Sequence, residues 1–188
     1  ASVNDPDPGF WGHWPRYYAE MPVKQDWVQA AAKRCQTAVV VIGRSAGEDR
    51  ENTLKKGSFY LTNKEKALLD AVTTAFQKVV LVLNIGSIMD FAEIHAYGDK
   101  ISAILLAWQL GMESGNAVAD VLTGQVNPSG RLTDTIAKTY ADYPAQNFGN
   151  KAENRYTEDI FVGYRYFETF APERVLYPCL LYTSDAAD

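Results

Sequence analysis

The stretch TAVVVIG at Thr37–Gly43 decides the fold class. Apart from Ala38 and Gly43, every residue in it is β-branched, and a continuous run of this kind is typical of a strand buried on both faces, as in a parallel sheet. Two further runs, VVLVLN at 79–84 and ILLAW at 104–108, repeat the pattern. We therefore predict three strands of one parallel sheet.

Helical patterns separate these strands. The sequence TNKE at 62–65 is a capping box, and Leu68, Val72 and Phe76 follow at helical spacing, which predicts a helix with one buried stripe. Further helices are predicted over residues 26–35, 88–95 and 113–122, the last of them ended by Gly124. This alternation predicts an α/β fold with a mainly parallel sheet flanked by helices, a flavodoxin-like α/β sandwich with right-handed crossovers.

The composition is that of a folded globular protein, since 47% of the 188 residues are hydrophobic and 22% are charged. The net charge is −5 and no basic cluster is present, which argues against a nucleic-acid partner. The apolar runs are far shorter than the roughly 20 residues that span a bilayer. We therefore expect no nucleic-acid partner and no membrane partner.

The cysteine and histidine residues indicate no metal and no disulfide framework. Cys35 and Cys179 lie far apart and lack zinc or redox spacing, which favours a reducing compartment. His13 and His95 have no partner at the spacing of metal ligands. The first residues lack the basic start and apolar stretch of a signal peptide, and the chain does not begin with methionine. We expect a cytoplasmic protein and an internal piece of a longer chain.

The first strand is followed by an unusually long polar loop, RSAGEDRENTLKKGSFYL at 44–61. Ligands of parallel α/β sheets gather at the carboxyl ends of the strands, and long loops in compact domains are usually functional or disordered. Within the loop, a carboxyl group such as that of Glu48 could act as a general acid if its surroundings raised its pKa. On spacing alone, a solvated ion pair with Arg44 or Arg50 is the favoured alternative. The residue pattern leaves both readings open.

Five segments together resemble those of a known family. They are VVVIGRSAGEDRE at 39–51, GSFYLT-x-x-E at 57–65, VVLVLNIGS at 79–87, AILLAWQLGMESGNAVADVLTGQVNPSGRLTDT at 103–135 and YTEDIFVGYRYFETF at 156–170. In this order they resemble the carboxyl-terminal α/β sandwich domain of glycoside hydrolase family 3, which includes β-glucosidases and β-xylosidases. The resemblance covers about residues 20–178 and is most specific over residues 111–132.

The resemblance implies a retaining β-glycosidase whose active site is shared between two domains. A TIM-barrel domain of the same parent chain would carry the aspartate nucleophile. Glu48 would be the acid/base glutamate, because Gly47-Glu48-Asp49-Arg50 is similar to the family motif G-E-G-x-D-R with two residues missing. The implied substrate is a β-glucoside or short oligosaccharide, no cofactor or metal is required, and the isolated chain is expected to be inactive. The loop is most similar to that of bacterial members in which the sandwich precedes the barrel.

The resemblance also implies a division of the chain. Residues 1–24 are interpreted as a connector and residues 25–144 as the α/β sandwich domain. Residues 145–178 would be a linker and the first strand of a fibronectin-like module, because apolar and aromatic side chains alternate over 160–166 as in a strand. Residues 179–188, CLLYTSDAAD, depart from the family pattern and are interpreted as a non-native tail.

Two other functions stay open on the sequence. One is a non-catalytic carbohydrate-binding or scaffolding module that kept the sandwich fold, which a parent chain without a barrel nucleophile would favour. The other is a flavodoxin-like nucleotide or flavin binder, which would require a phosphate held by the loops at the strand ends.

Overall fold

The structure is a computed structural model that describes residues 20–44, 52–145, 152–153 and 155–181. The helices are α1 Gln25–Ala32, α2 Asn63–Ala75, α3 Ala92–His95, α4 Ser114–Leu122 and α5 Tyr164–Phe170. The strands are β1 Thr37–Gly43, β2 Lys78–Asn84, β3 Ala103–Leu106, β4 Ile136–Ala137 and β5 Val175–Tyr177. Short 3-10 turns lie at Gly98–Lys100, Tyr140–Asp142 and Pro172–Arg174.

Strands β1, β2 and β3 form a parallel sheet in that order, with β2 in the centre. The register sets Val40 beside Leu81, and Leu81 beside Ile104. The predicted parallel α/β fold is therefore confirmed, and all three predicted strands are present. The third strand ends at Leu106, two residues earlier than predicted.

The main core lies on one face of this sheet. Val40 and Ile42 of β1, together with Leu81 and Leu83 of β2, point to this face. Helices α2 and α3 cover it and α1 packs beside them, contributing the buried or partly buried apolar side chains Val28, Leu69, Val72 and Ile94. Burial of these side chains is the main source of stability that fixes the sheet and its helices in one arrangement.

The other face of β1 differs from the sequence prediction. Val39 is 50% exposed and Val41 is 60% exposed. The prediction that this strand is buried on both faces is therefore wrong for the described residues. The reason is positional, since β1 is an edge strand of the sheet and helices α1 and α2 pack against its other face, which carries Val40 and Ile42. In the central strand, Val82 on the same side as Val41 is buried, as predicted.

Helix α2 begins as its sequence predicts. The Glu65 backbone N–H donates to the Thr62 hydroxyl at 3.1 Å, and the Thr62 backbone N–H donates to the Glu65 carboxylate at 2.7 Å, which completes the capping box. Helix α4 ends at Leu122, and Gly124 follows with φ of +75°, the left-handed conformation that terminates helices. Both signals were local, and both are confirmed.

The carboxyl-terminal part differs from the sequence prediction. The predicted strand over 160–166 was wrong, because Gly163 has φ of +58° and helix α5 starts at Tyr164. Strands β4 and β5 form a separate antiparallel pair. Phe167 of α5 packs with Ala137 and Ala171 in a second, smaller core. The fibronectin-like module is not confirmed, and the division at residues 144 and 145 stays a prediction.

The beginning of the predicted tail is in contact with the described chain. The Leu180 N–H donates to the Leu132 carbonyl at 2.8 Å, and the Leu132 N–H donates to the Leu181 carbonyl at 3.2 Å. Residues 182–188 lie outside the described residues, as do 1–19 of the predicted connector. The non-native origin of the tail stays a prediction. In the described ranges, none of the helices has the length and apolar character needed to cross a membrane.

Candidate functional site

The carboxyl ends of the three parallel strands form one continuous rim. The Arg44 N–H donates to the Asn84 carbonyl at 2.9 Å, and the Asn84 side-chain amide donates to the Trp108 carbonyl at 2.8 Å. Trp108 has φ of 56°, a conformation that a tryptophan rarely adopts, and such strained residues concentrate at functional sites. The three strand ends that topology predicts to meet are therefore joined by hydrogen bonds.

Arg44, the first residue after β1, is held by a buried carboxylate. Its two terminal nitrogens contact the two carboxylate oxygens of Glu65, with Nη2 to Oε2 at 2.7 Å. Its Nε–H also donates to the Ser58 carbonyl at 3.3 Å, and Nη1 donates to the Gly43 carbonyl at 3.0 Å. Paired and hydrogen-bonded in this way, the guanidinium is fixed in position.

Glu65 is only 2% exposed, and its neighbours decide its charge. Burial acts to raise the pKa of its carboxyl group, but the hydrogen bonds from Arg44 and Thr62 and the positive charge of Arg44 act in the opposite direction. The net effect is a lowered pKa, so Glu65 is ionised at neutral pH. It serves as the anchor of Arg44 and as the capping residue of α2.

Asn52 is the first described residue after segment 45–51, and it is also attached to the rim. Its side-chain amide donates to the Ile88 carbonyl, in the loop after β2, at 2.7 Å. Its side-chain oxygen accepts from the Ser58 hydroxyl, which in turn accepts from the Thr53 N–H at 2.9 Å. The loop that Ser58 belongs to is tied to the same region, because the Asp90 N–H donates to the Phe59 carbonyl at 2.7 Å.

Asp90 is a buried acidic group of this rim. Its carboxylate accepts from the Ala92 N–H at 3.2 Å, at the start of α3. Burial is the main cause that raises the pKa of Asp90, and the negative charge of Glu93 adds to it, although its backbone hydrogen bonds to Ala92 and Glu93 act against them. Asp90 was not singled out from the sequence, although an aspartate two residues before a helix is a known local signal.

Glu48, the predicted acid/base residue, lies outside the described residues, as do Asp49 and Arg50. The residues on either side, Arg44 and Asn52, are described and both attach to the rim. Among the parts of the chain that the structure describes, no group of three or more His, Cys, Asp or Glu side chains is arranged to hold a metal ion.

Comparison with known proteins identifies the family. The model of the Glycosyl hydrolase family 3 C-terminal domain matches residues 16–164. The chain is 46% identical over 169 residues to a β-glucosidase of Ruminococcus albus, covering 89% of this chain and 18% of that protein. The chain belongs to glycosyl hydrolase family 3.

Solved structures of β-glucosidases share the fold of this family 3 domain. The enzyme from Paenibacillus barengoltzii superposes with a TM-score of 0.86 at 44% identity, covering 90% of this chain and 19% of that one. β-Glucosidase 3B from Thermotoga neapolitana, in complex with glycerol, gives 0.81 at 36% identity, covering 92% and 25%. The resemblance read from the sequence is confirmed. The family 3 domain spans a quarter or less of these relatives.

Several contacts of the family 3 domain were not visible in its sequence pattern. Glu65 was recognised as a capping residue but not as the partner of Arg44, and Asn52 and Ser58 were not singled out. The general signal was present, because a buried guanidinium needs a carboxylate, and the Glu65 carboxylate can accept further hydrogen bonds besides that of the capping box. What the sequence could not provide is the fold that brings residues 44, 58 and 65 together.

Proposed function

We propose that this family 3 domain supplies Glu48 as the acid/base residue of a retaining β-glycosidase of the β-glucosidase or β-xylosidase type, acting on a β-glucoside or short oligosaccharide. The aspartate nucleophile would come from a TIM-barrel domain of the same parent chain. The observation that carries the proposal is the attachment of both ends of segment 45–51, through Arg44 and Asn52, to the carboxyl-end rim of the parallel sheet. This rim is where parallel α/β sheets present their functional groups.

The environment of Arg44 argues against one of the two ion pairs open to Glu48, the pair with Arg44. A carboxylate next to a free guanidinium would be held ionised and could not donate a proton. The guanidinium of Arg44 is already paired with both oxygens of Glu65. Arg44 is therefore not available as the main partner of Glu48, which removes one ion pair that would keep the Glu48 carboxyl group ionised.

The proposed chemistry divides between two carboxyl groups. Retaining hydrolysis requires one ionised carboxylate that attacks the anomeric carbon and one protonated carboxyl that donates to the departing oxygen, about 5–5.5 Å apart. Glu48 would donate its proton to the glycosidic oxygen as the glycosyl-enzyme bond forms. As a carboxylate, it would then accept a proton from the water that hydrolyses that bond, which restores the starting state.

The acid role predicts a loss that depends on the leaving group. In the full-length enzyme, Glu48→Ala should lower kcat/KM for natural glucosides by about 10²–10⁴-fold, the usual contribution of a general acid. For an activated leaving group such as dinitrophenol, which departs without a proton, kcat/KM should change far less. Steady-state kinetics on aryl β-glucosides of graded leaving-group pKa measures the difference.

The matched control for this experiment is Glu51→Ala, which removes another carboxyl group from the same loop. It should leave the dependence on the leaving group unchanged. Equal losses for natural and activated substrates in Glu48→Ala, or the same leaving-group effect in Glu51→Ala, would contradict the acid role of Glu48.

The divided site also predicts that the isolated 188-residue chain is inactive. With one carboxyl group of the two, it should not release nitrophenol from nitrophenyl β-glucosides above the rate without protein. The chain purified on its own, assayed beside the full-length enzyme at equal molar concentration, provides the measurement. Turnover that purifies with the chain would contradict the proposed division.

A further inference from the structure

A small group of side chains joins the two ends of the loop segment 45–51. Arg44 precedes this segment and Asn52 follows it, and both contact Ser58. Arg44 donates through Nε to the Ser58 carbonyl, whereas the Ser58 hydroxyl donates to the Asn52 side-chain oxygen. One residue thus connects the beginning and the end of the segment.

The beginning of the segment is fixed to a rigid element. The Glu65 carboxylate accepts hydrogen bonds from both terminal nitrogens of Arg44. The same carboxylate completes the capping box of α2 with Thr62. Its side chain is buried, so exchange of these contacts for water would require local opening of the helix start. Arg44 is therefore anchored to the first turn of a 13-residue helix.

The end of the segment is fixed to the neighbouring strand loop. Asn52 donates to the Ile88 carbonyl at 2.7 Å, four residues after β2 ends at Asn84. At the other end, the Arg44 N–H donates to the Asn84 carbonyl. Both ends are therefore hydrogen-bonded to β2, the central strand of the sheet, or to the loop that follows it, and both contact Ser58.

We propose that Arg44, Asn52 and Ser58, anchored by Glu65, form a clamp that positions the acid/base glutamate for proton transfer. The inference rests on the proposed function of Glu48. The clamp residues are positioning residues, because they act by fixing the ends of the segment that carries Glu48. Proton transfer requires heavy atoms within about 2.6–3.2 Å, and a displacement of about 1 Å can lower a rate by about 10²-fold.

The test uses Asn52→Ala and Ser58→Ala in the full-length enzyme. Each variant removes a side-chain contact at the end of the segment and leaves Glu48 in the sequence. We expect kcat/KM to fall by about tenfold or more for glucosides with poor leaving groups and to change less than about twofold for dinitrophenyl glucoside. A purely structural role would lower both values equally, through the fraction of folded enzyme.

The matched control is Asn63→Ala. Asn63 is also an exposed asparagine and accepts one hydrogen bond, from Lys56 Nζ at 2.7 Å, but it contacts neither end of the segment. It should leave both kinetic values at the wild-type level. Arg44→Lys provides a second clamp variant, which keeps the positive charge but loses the bidentate contact and should show the same leaving-group dependence.

The outcomes separate the clamp from the proposed function itself. One outcome is that Glu48→Ala lowers kcat/KM selectively for poor leaving groups while Asn52→Ala and Ser58→Ala do not. In that case the proposed clamp is contradicted and the acid role of Glu48 stands. If Glu48→Ala shows no selective loss, the proposed function is wrong. The double variant Glu48→Ala/Asn52→Ala should show no further selective loss, and an additive loss would contradict action through Glu48.

Discussion

Replacement of Glu65 by alanine should lower the free energy of unfolding of the chain by about 3–5 kcal/mol. The substitution leaves the guanidinium of Arg44 in a mostly buried position without its carboxylate and also removes half of the α2 capping box. Because a domain of ordinary size is stable by about 5–15 kcal/mol, the loss is a large part of the total. Urea unfolding followed by circular dichroism measures it.

The control for this prediction is Glu93→Ala, which breaks the ion pair between Lys66 and Glu93. Both side chains of that pair are about one third exposed, at 34% and 32%, so solvent screens the interaction. Exposed pairs contribute about 0–1 kcal/mol, and the variant should be affected little. Equal destabilisation by Glu65→Ala and Glu93→Ala would show that burial does not set the strength of the Arg44–Glu65 pair.

The same pair gives the stability an acid dependence. Since the pKa of Glu65 is lower in the folded chain than its ordinary value of 4.5, its ionisation stabilises the fold fully above that value. The stabilisation is lost as the pH falls through the lower pKa of the folded chain. In Glu65→Gln this dependence should be absent. The raised pKa of Asp90 acts with the opposite slope and is common to both proteins, so the wild-type minus variant difference isolates Glu65.

The parts of the fold that depend on short stretches of sequence were predictable. The apolar run of β1 and the capping box of α2 are both contained within a few residues, and both are confirmed. The alternation over 160–166 is equally local, but the strand that it predicts is not formed. There the side chains surround a glycine with positive φ, and Gly163 turns the chain into a helix where a strand pattern would continue.

The meeting of the strand ends was predictable, but the side-chain contacts made there were not. Parallel topology requires the strand ends at Gly43 and Asn84 to meet, and they do. The contacts of Arg44 with residues 14 and 21 positions away depend on how the long loop folds back over the helix start. Ser58 and Glu65 lie on other segments of the chain than β1, so no pattern within one helix or strand predicts these contacts.

Replacement of Phe167 by alanine should lower the free energy of unfolding by about 3–5 kcal/mol without dividing the unfolding curve into two transitions. Phe167 is 1% exposed and packs edge-on against Tyr143, with ring centroids 5.7 Å apart. Strands β4 and β5 connect its small core to the main one, since Ile136 packs in the main core and the adjacent Ala137 packs against Phe167. Tryptophan fluorescence and circular dichroism should report coincident transitions in urea.

The matched control is Phe170→Ala, on the same helix but 58% exposed, which should cost far less. The pair of variants also tests the predicted boundary between residues 144 and 145. If residues 145–178 belonged to a separate module, Phe167→Ala would shift only the unfolding transition of that module to lower urea concentration. The parallel sheet would still unfold at the wild-type midpoint. Because consecutive residues of β4 enter both cores, we expect the cavity at Phe167 to weaken the whole chain as one cooperative unit.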